Sequence, residues 1–263
     1  MTAQNDSLLS HLHRAADREL GNRLLDMVDI VRTRDTSRTT EFVNPQQRNI
    51  AENLLKQLTG INFKVAGGYY QAERKRILLF PDYLFPDHQE VPLSFIKVSG
   101  NFDFVNVSHR DFLGALLALG IKKSLIGDIL VHENYAQIVL APEILPEVKL
   151  NLDYVNEVPV EISEISSEDL IFKPRNSKEI LATVASLRLD AVISAGFGDS
   201  RTKSSSQITA GQVKLNWVPE SDPAADVEVG DVISIRGRGR LIVAEDRGIS
   251  NSGRIKLTIE RIT

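Results

Sequence analysis

The 263-residue sequence predicts an α+β protein with three parts: a helical N-terminal region, a small middle domain of strands and helices, and a C-terminal unit of two short helices followed by strands. Three observations carry that expectation. Apolar residues recur at helical steps through the first sixty residues, the pattern shifts to short strand-like runs from about Glu73, and a glycine-punctuated, serine-rich stretch after residue 180 gives way to alternation. A chain of this length ordinarily divides into two or three small domains, and the boundaries expected are 1–72, 73–165 and 180–263.

In the N-terminal region Leu8, Leu12, Leu20, Leu24, Met27, Val28 and Val31 fall on one helical face. Asn44-Pro45 supplies an N-cap and a first-turn proline for a second helix with Ile50, Leu54, Leu55 and Leu58 as its stripe, and Gly60 follows its end. His11 and His13 are two apart, so they do not share a helical face and no metal site is expected there. The middle domain reads as RILLF (Arg76 to Phe80), LSFIKV (Leu93 to Val98), a helix from His109 to Gly120 capped by Ser108, a hairpin of GDILV (Gly127 to Val131) and YAQIVLA (Tyr135 to Ala141), a helix near Pro142 to Leu150, and a strand near Val158 to Ile162. That order suggests a sheet with helices on one face, an RRM-like (ferredoxin-like) architecture. Within GNFDFVNV (Gly100 to Val107), Phe102 and Phe104 are candidates for base stacking, although core packing is the expected role. Glu161 to Lys178 mixes acidic residues, serine and proline without a clean period and reads as a linker.

Composition narrows the chemistry. With 42% hydrophobic and 25% charged residues the chain reads as an ordinary globular protein, and its longest apolar runs fall far short of the roughly 20 residues of a membrane span. The N-terminus lacks a basic start followed by an apolar core, so no signal peptide is expected. Cysteine is absent, which removes disulfides, thiolate metal sites and cysteine nucleophiles and is compatible with the cytoplasm. The net charge of −4 is unevenly spread: from Lys178 onward twelve Lys/Arg face eleven Asp/Glu, which permits a local basic face on an otherwise acidic chain.

The C-terminal unit is the most informative. LRLDAVISAG (Leu187 to Gly196) forms a short helix, Gly198-Asp199-Ser200 turns the chain, and a second helix runs to about Ala210 with Gly211 at its end. In QVKLNW, Val213 and Leu215 face one way and Lys214 and Asn216 the other, while Trp217 ends the strand and is either core, the favoured reading, or a stacking platform. Arg236, Arg238 and Arg240 stud the end of a later strand.

Five separated elements occur here in order: RLD at Arg188 to Asp190, SR at Ser200-Arg201, I-x-x-G at Ile208 to Gly211, V-x-L-N at Val213 to Asn216, and VGDVISI at Val229 to Ile235. This pattern resembles the S4 (alpha-L) RNA-binding domain, whose two helices present a basic surface to structured RNA. Ser204 and Gln207 depart from it, standing where the family has a small apolar residue and a leucine. GGYYQAERKRILLFPDY (Gly67 to Tyr83), HRDFLGALLALGIKKSLIGDILV (His109 to Val131), Trp217 after Asn216, and RGRGR after the last S4 strand extend the likeness to the YlmH-type bacterial proteins, which have a photosystem II S4 branch in cyanobacteria and plastids. The resemblance implies binding to ribosomal RNA or tRNA, on the ribosome or its large subunit, by a monomer with no cofactor. The RNA-binding candidates are Arg188, Ser200, Arg201, Lys203, Lys214, Asn216, Arg236, Arg238 and Arg240, with Asp190 orienting an arginine.

Two other functional classes bear comparison with this sequence. A pseudouridine synthase needs its catalytic aspartate beyond the S4 unit, whereas the only RLD lies inside it, and neither synthetase nor methyltransferase signatures occur; no catalysis is expected. HRD at His109 to Asp111 mimics a kinase loop, but Leu116 stands where the metal-binding asparagine belongs. The other class is a protein-interaction or assembly factor, linked to photosystem II or cell division, with a vestigial S4 unit.

Overall fold

The computed structural model describes residues 7–10, 12–103, 105–173, 177–250 and 253–262, and the chain divides into two compact units, residues 1–173 and 174–263. The N-terminal part of the first unit consists of α1 (Ala15–Arg34), β1 (Arg38–Thr39), α2 (Pro45–Leu55), β2 (Ile61–Ala66) and β3 (Arg76–Pro81). Leu20, Leu24, Leu25, Val28 and Val31 form the buried face of α1, as their spacing requires. Asn44 caps α2 in a reciprocal box with Gln47. The strands form an antiparallel sheet in the order β1-β3-β2. RILLF is therefore the central strand of the N-terminal sheet and not the first strand of the middle one, because all six residues of β3 are buried between two partners.

Removing that strand leaves β-α-β-β-α-β: β4 (Ser94–Gly100), α3 (His109–Ala118), β5 (Ile126–Val131), β6 (Tyr135–Leu140), α4 (Leu145–Asn151), β7 (Tyr154–Val155) and β8 (Val158–Glu164). The sheet order β5-β6-β4-β8-β7, antiparallel throughout, is the ferredoxin-like arrangement with one short added strand. Ile96, Val98, Ala136, Ile138 and Leu140 turn one face toward Phe112 and Leu116 of α3 and Val148 of α4. Phe102 belongs to that core, with its ring edge-on to Phe112 at 5.6 Å, so the structure assigns it to packing; Phe104 lies outside the described residues.

The second face of this sheet is covered by the chain itself. Phe42, Leu93, Phe95, Leu125 and Leu170 pack with Val139 and Ala141. At its centre the buried Gln137 donates from Nε2 to the Asp169 carbonyl at 2.7 Å, and its Oε1 accepts from the Ile171 amide at 2.8 Å. The segment 165–172, part of the stretch expected to be a linker, is thus a strap hydrogen-bonded across the sheet. Asp128 fastens the loop after β2 in the same way, accepting from the Tyr69 hydroxyl and the Glu73 and Arg74 amides.

In the second unit β9 (Ser177–Val184) precedes α5 (Leu189–Phe197) and α6 (Arg201–Thr209), then β10 (Val213–Leu215), β11 (Val218–Pro219), β12 (Val232–Ile235), β13 (Gly239–Ile249) and β14 (Ile255–Ile262). The sheet order is β11-β10-β12-β13-β14-β9, so the strand before the helices closes the sheet beside its last strand. Val192, Ile193 and Ile208 from the helices meet Val213, Ile233, Leu241 and Ile259 from one sheet face. A Cβ on Gly196 would stand 2.5 Å from the Leu241 side chain, so glycine there permits the close approach of α5 to β13.

Candidate nucleic-acid interface

The ends of α5 and α6 meet at Gly198-Asp199-Ser200. Gly198, at φ 69°, takes the left-handed conformation that ends α5, and the Ser200 side chain accepts from the Lys203 amide to start α6. This tight corner places two carboxylates among four cations. Asp190, 5% exposed, accepts from Arg188 Nη2 at 3.1 Å and from Arg201 Nη2 at 2.7 and 2.9 Å. Asp199 accepts from Lys203 Nζ at 2.8 Å and from Arg238 Nη1. The guanidinium of Arg238 also stacks on the Phe197 ring at 4.4 Å, and that of Arg261 lies 4.8 Å from the same ring.

Electrostatics follow from this pairing. Burial pushes the Asp190 carboxyl up, but hydrogen bonds from Arg188 and Arg201, together with their charges, outweigh it and hold the group below the usual carboxylate range. The Arg238 and Lys203 hydrogen bonds hold Asp199 low as well. Four cations gather around these two ionised carboxylates, while Asp222 and Asp226 add negative charge on the Arg188 side, so the positive charge is concentrated on Arg201, Lys203 and Arg238. Arg188, Arg201 and Lys203 remain 40%, 52% and 57% exposed, so their outer donors can reach a phosphate while the carboxylates behind fix their direction.

The nine candidates therefore separate into groups. Arg188, Ser200, Arg201, Lys203 and Arg238 converge on the helix corner. Lys214 and Arg240 both stand opposite Ser234 in the ladder, on the sheet face away from the helices. Arg236 is exposed in the turn between β12 and β13. Asn216 is committed to structure: its Nδ2 donates to Asp231 at 2.7 Å and its Oδ1 accepts from the Val232 amide at 2.9 Å. Trp217 does not end a strand and is not core, because it sits half-buried at φ 65° in the turn between β10 and β11. The two departures from the S4 pattern are accommodated. Ser204 is fully buried with its hydroxyl donating to the Ser200 carbonyl, and Gln207 accepts from Arg238. Phe197 and Arg261 were not legible in sequence, since 64 positions and the strands β10 to β13 separate them.

Comparison with known proteins places this geometry. The family model for the N-terminal part of YlmH matches residues 16–84, that for the RNA-binding domain in YlmH matches 86–169, and the S4 domain model matches 187–233. The "Ribosome-associated protein quality control protein P2" of Bacillus subtilis (strain 168) is 32% identical over 248 residues, covering 94% of this chain and 96% of that one. The chain belongs to the YlmH family. A solved structure of "Cell division protein ylmH from Streptococcus pneumoniae" superposes with a TM-score of 0.52 at 28% identity, covering 60% of this chain and 96% of the other. In this YlmH-family chain two consecutive segments thus match models of RNA-binding domains, and Arg188, Asp190, Asp199, Arg201 and Lys203 of the basic corner lie within the S4 match, with Arg238 just beyond it. Among the described residues no helix is long and apolar enough to cross a membrane.

Proposed function

We propose that this protein is a non-catalytic factor that docks on structured RNA, ribosomal RNA or tRNA, through its S4 domain, and that it does so on the ribosome in the cytoplasm as a monomer. The observation that carries this reading is the helix corner, where buried Asp190 and nearly buried Asp199 each hold two cations in place. A fixed fan of guanidinium and ammonium donors suits the regularly spaced phosphates of an RNA helix, which is recognised by shape and backbone. Arg188, Arg201, Lys203 and Arg238 form the main contact, with Arg236 beside them in sequence and Lys214 and Arg240 as a secondary row. The name of the B. subtilis relative supports a role in ribosome-associated quality control.

Binding of the full chain to purified ribosomes and to tRNA across a salt series tests this. Each phosphate contact removed by Arg201→Ala/Lys203→Ala should make the log-log salt slope shallower by roughly 0.7–0.9. Identical curves for wild type and variant would instead favour a protein partner, a reading that the cell-division title of the S. pneumoniae structure keeps in view.

A further inference from the structure

Trp217 is the only tryptophan of the chain, and it stands where the backbone favours glycine. Leu215 pairs with Val218, so Asn216 and Trp217 alone make the turn, with φ of 49° and 65°. Two left-handed residues in a two-residue hairpin turn define the type I′ geometry, which Asn-Gly satisfies without strain. Asn216 obeys that preference and is locked by its side-chain clamp to Asp231 and Val232. Trp217 does not, because a bulky side chain in the left-handed region is a rare outlier. Its reason for being there must lie in the ring.

Membership of the apolar core does not supply that reason. Trp217 is only half-buried and takes no place in the apolar core of its unit. The ring pairs and cation–π contacts among the described residues engage Phe197 in this unit and leave the indole out. The chain thus holds a flat aromatic at a rigid, strained hairpin tip with part of its surface open, a combination that marks a working position.

We propose that Trp217 is a stacking platform for an unpaired nucleobase of the bound RNA. The proposal rests on the RNA-binding reading above and adds a preference to it. Charge alone grips any duplex, whereas an indole face rewards a base that is looped out or single-stranded, whatever its identity. The S4 unit then selects stems that carry an unpaired base over continuous helices.

The single tryptophan makes the test specific, since the full chain's indole emission reports this position alone. The probes are an RNA hairpin with an adenine loop and a blunt RNA duplex of equal phosphate count, each titrated at low salt with binding followed by the anisotropy of a labelled RNA. Emission should be quenched as the hairpin saturates and stay unchanged with the duplex. Trp217→Gly should weaken hairpin binding roughly tenfold and leave the duplex nearly unaffected, with Trp217→Phe recovering most of the loss and Trp217→Leu little. Rescue by Leu equal to that by Phe would make the ring an apolar packing group and overturn the proposal. Hairpin binding without quenching and without dependence on Trp217 would also overturn it while leaving RNA binding intact. Failure of both RNAs to bind would remove the RNA-binding reading and this proposal together.

Discussion

Two segments of this protein match RNA-binding families, and the surfaces they carry differ in what already occupies them. In the ferredoxin-like sheet of the first unit, the face away from the helices is filled by Phe42, Phe95 and Leu170 and crossed by the strap that Gln137 holds. What stays partly open is the start of β6, where Tyr135 lies against the His132 ring at 4.5 Å with Lys97 Nζ 4.5 Å above it. The helix corner of the second unit is the reverse: its apolar side is sealed against the sheet and its polar side presents exposed cations steered by carboxylates. The contrast shows that a fold can keep an architecture associated with RNA while its own chain covers the surface. On the proposed function, occupancy and not topology distinguishes the two units as RNA-binding surfaces.

The sharpest way to break this comparison is charge reversal on each surface. Arg201→Glu/Lys203→Glu should lower RNA affinity by about 100-fold or more, since two attractions become repulsions, while Lys97→Glu should change it less than about threefold. Equal losses in a filter-binding assay would place the two surfaces on a par. Opening the strap comes next. Gln137→Leu leaves the Asp169 carbonyl and Ile171 amide without their partner and should destabilise the first unit by about 2–3 kcal/mol, seen as faster hydrogen exchange over 165–172 with RNA affinity unchanged.

A smaller effect separates orientation from charge. Asp190→Asn makes the corner more positive, so a purely electrostatic surface would bind RNA better. If the carboxylate aims Arg188 and Arg201, affinity should fall about threefold despite the gained charge, and stability should drop by about 1 kcal/mol, a modest loss because both guanidiniums are substantially exposed. The least effect is in mild acid. Burial, with the Lys173 charge nearby, lowers the His132 pKa, so its stabilising contribution is present above the unfolded value of about 6.5 and lost as pH falls through the depressed folded one. Asp190 and Asp199 are also depressed, so their contribution persists down to about pH 4 and is lost below it as each folded value is crossed. Region-resolved hydrogen exchange between pH 7 and 4 should therefore show the first unit loosening before the second.

Much of the architecture was legible because it is local. The Asn44 cap, the Ser200 start of α6 and the left-handed Gly198 and Gly211 are short-range devices written in adjacent residues. The Asp190–arginine pairing was also accessible, since RLD and SR open consecutive helices. What escaped is held by long-range partners. RILLF has the same composition in either sheet, and only its pairing with Ile61 to Ala66 decides where it belongs. The strap over 165–172 lacks periodicity because its backbone is satisfied by a short capped turn, a bond to the Phe95 carbonyl and one buried glutamine, and not by a ladder. Trp217 misled because alternation through Val213 and Leu215 looked set to continue, whereas the chain turns at Asn216.

Arg238 is held on three sides, by Asp199, by Gln207 and by the face of Phe197. An arginine free in solvent surrenders up to about 2 kcal/mol of rotamer freedom when a ligand immobilises it. Here that disorder is already gone before any partner arrives, so association at this corner carries a smaller entropic penalty than the same arginine would on a mobile loop. Calorimetry comparing wild type with Phe197→Leu should register the difference in the entropy of binding, even where the change in affinity is slight.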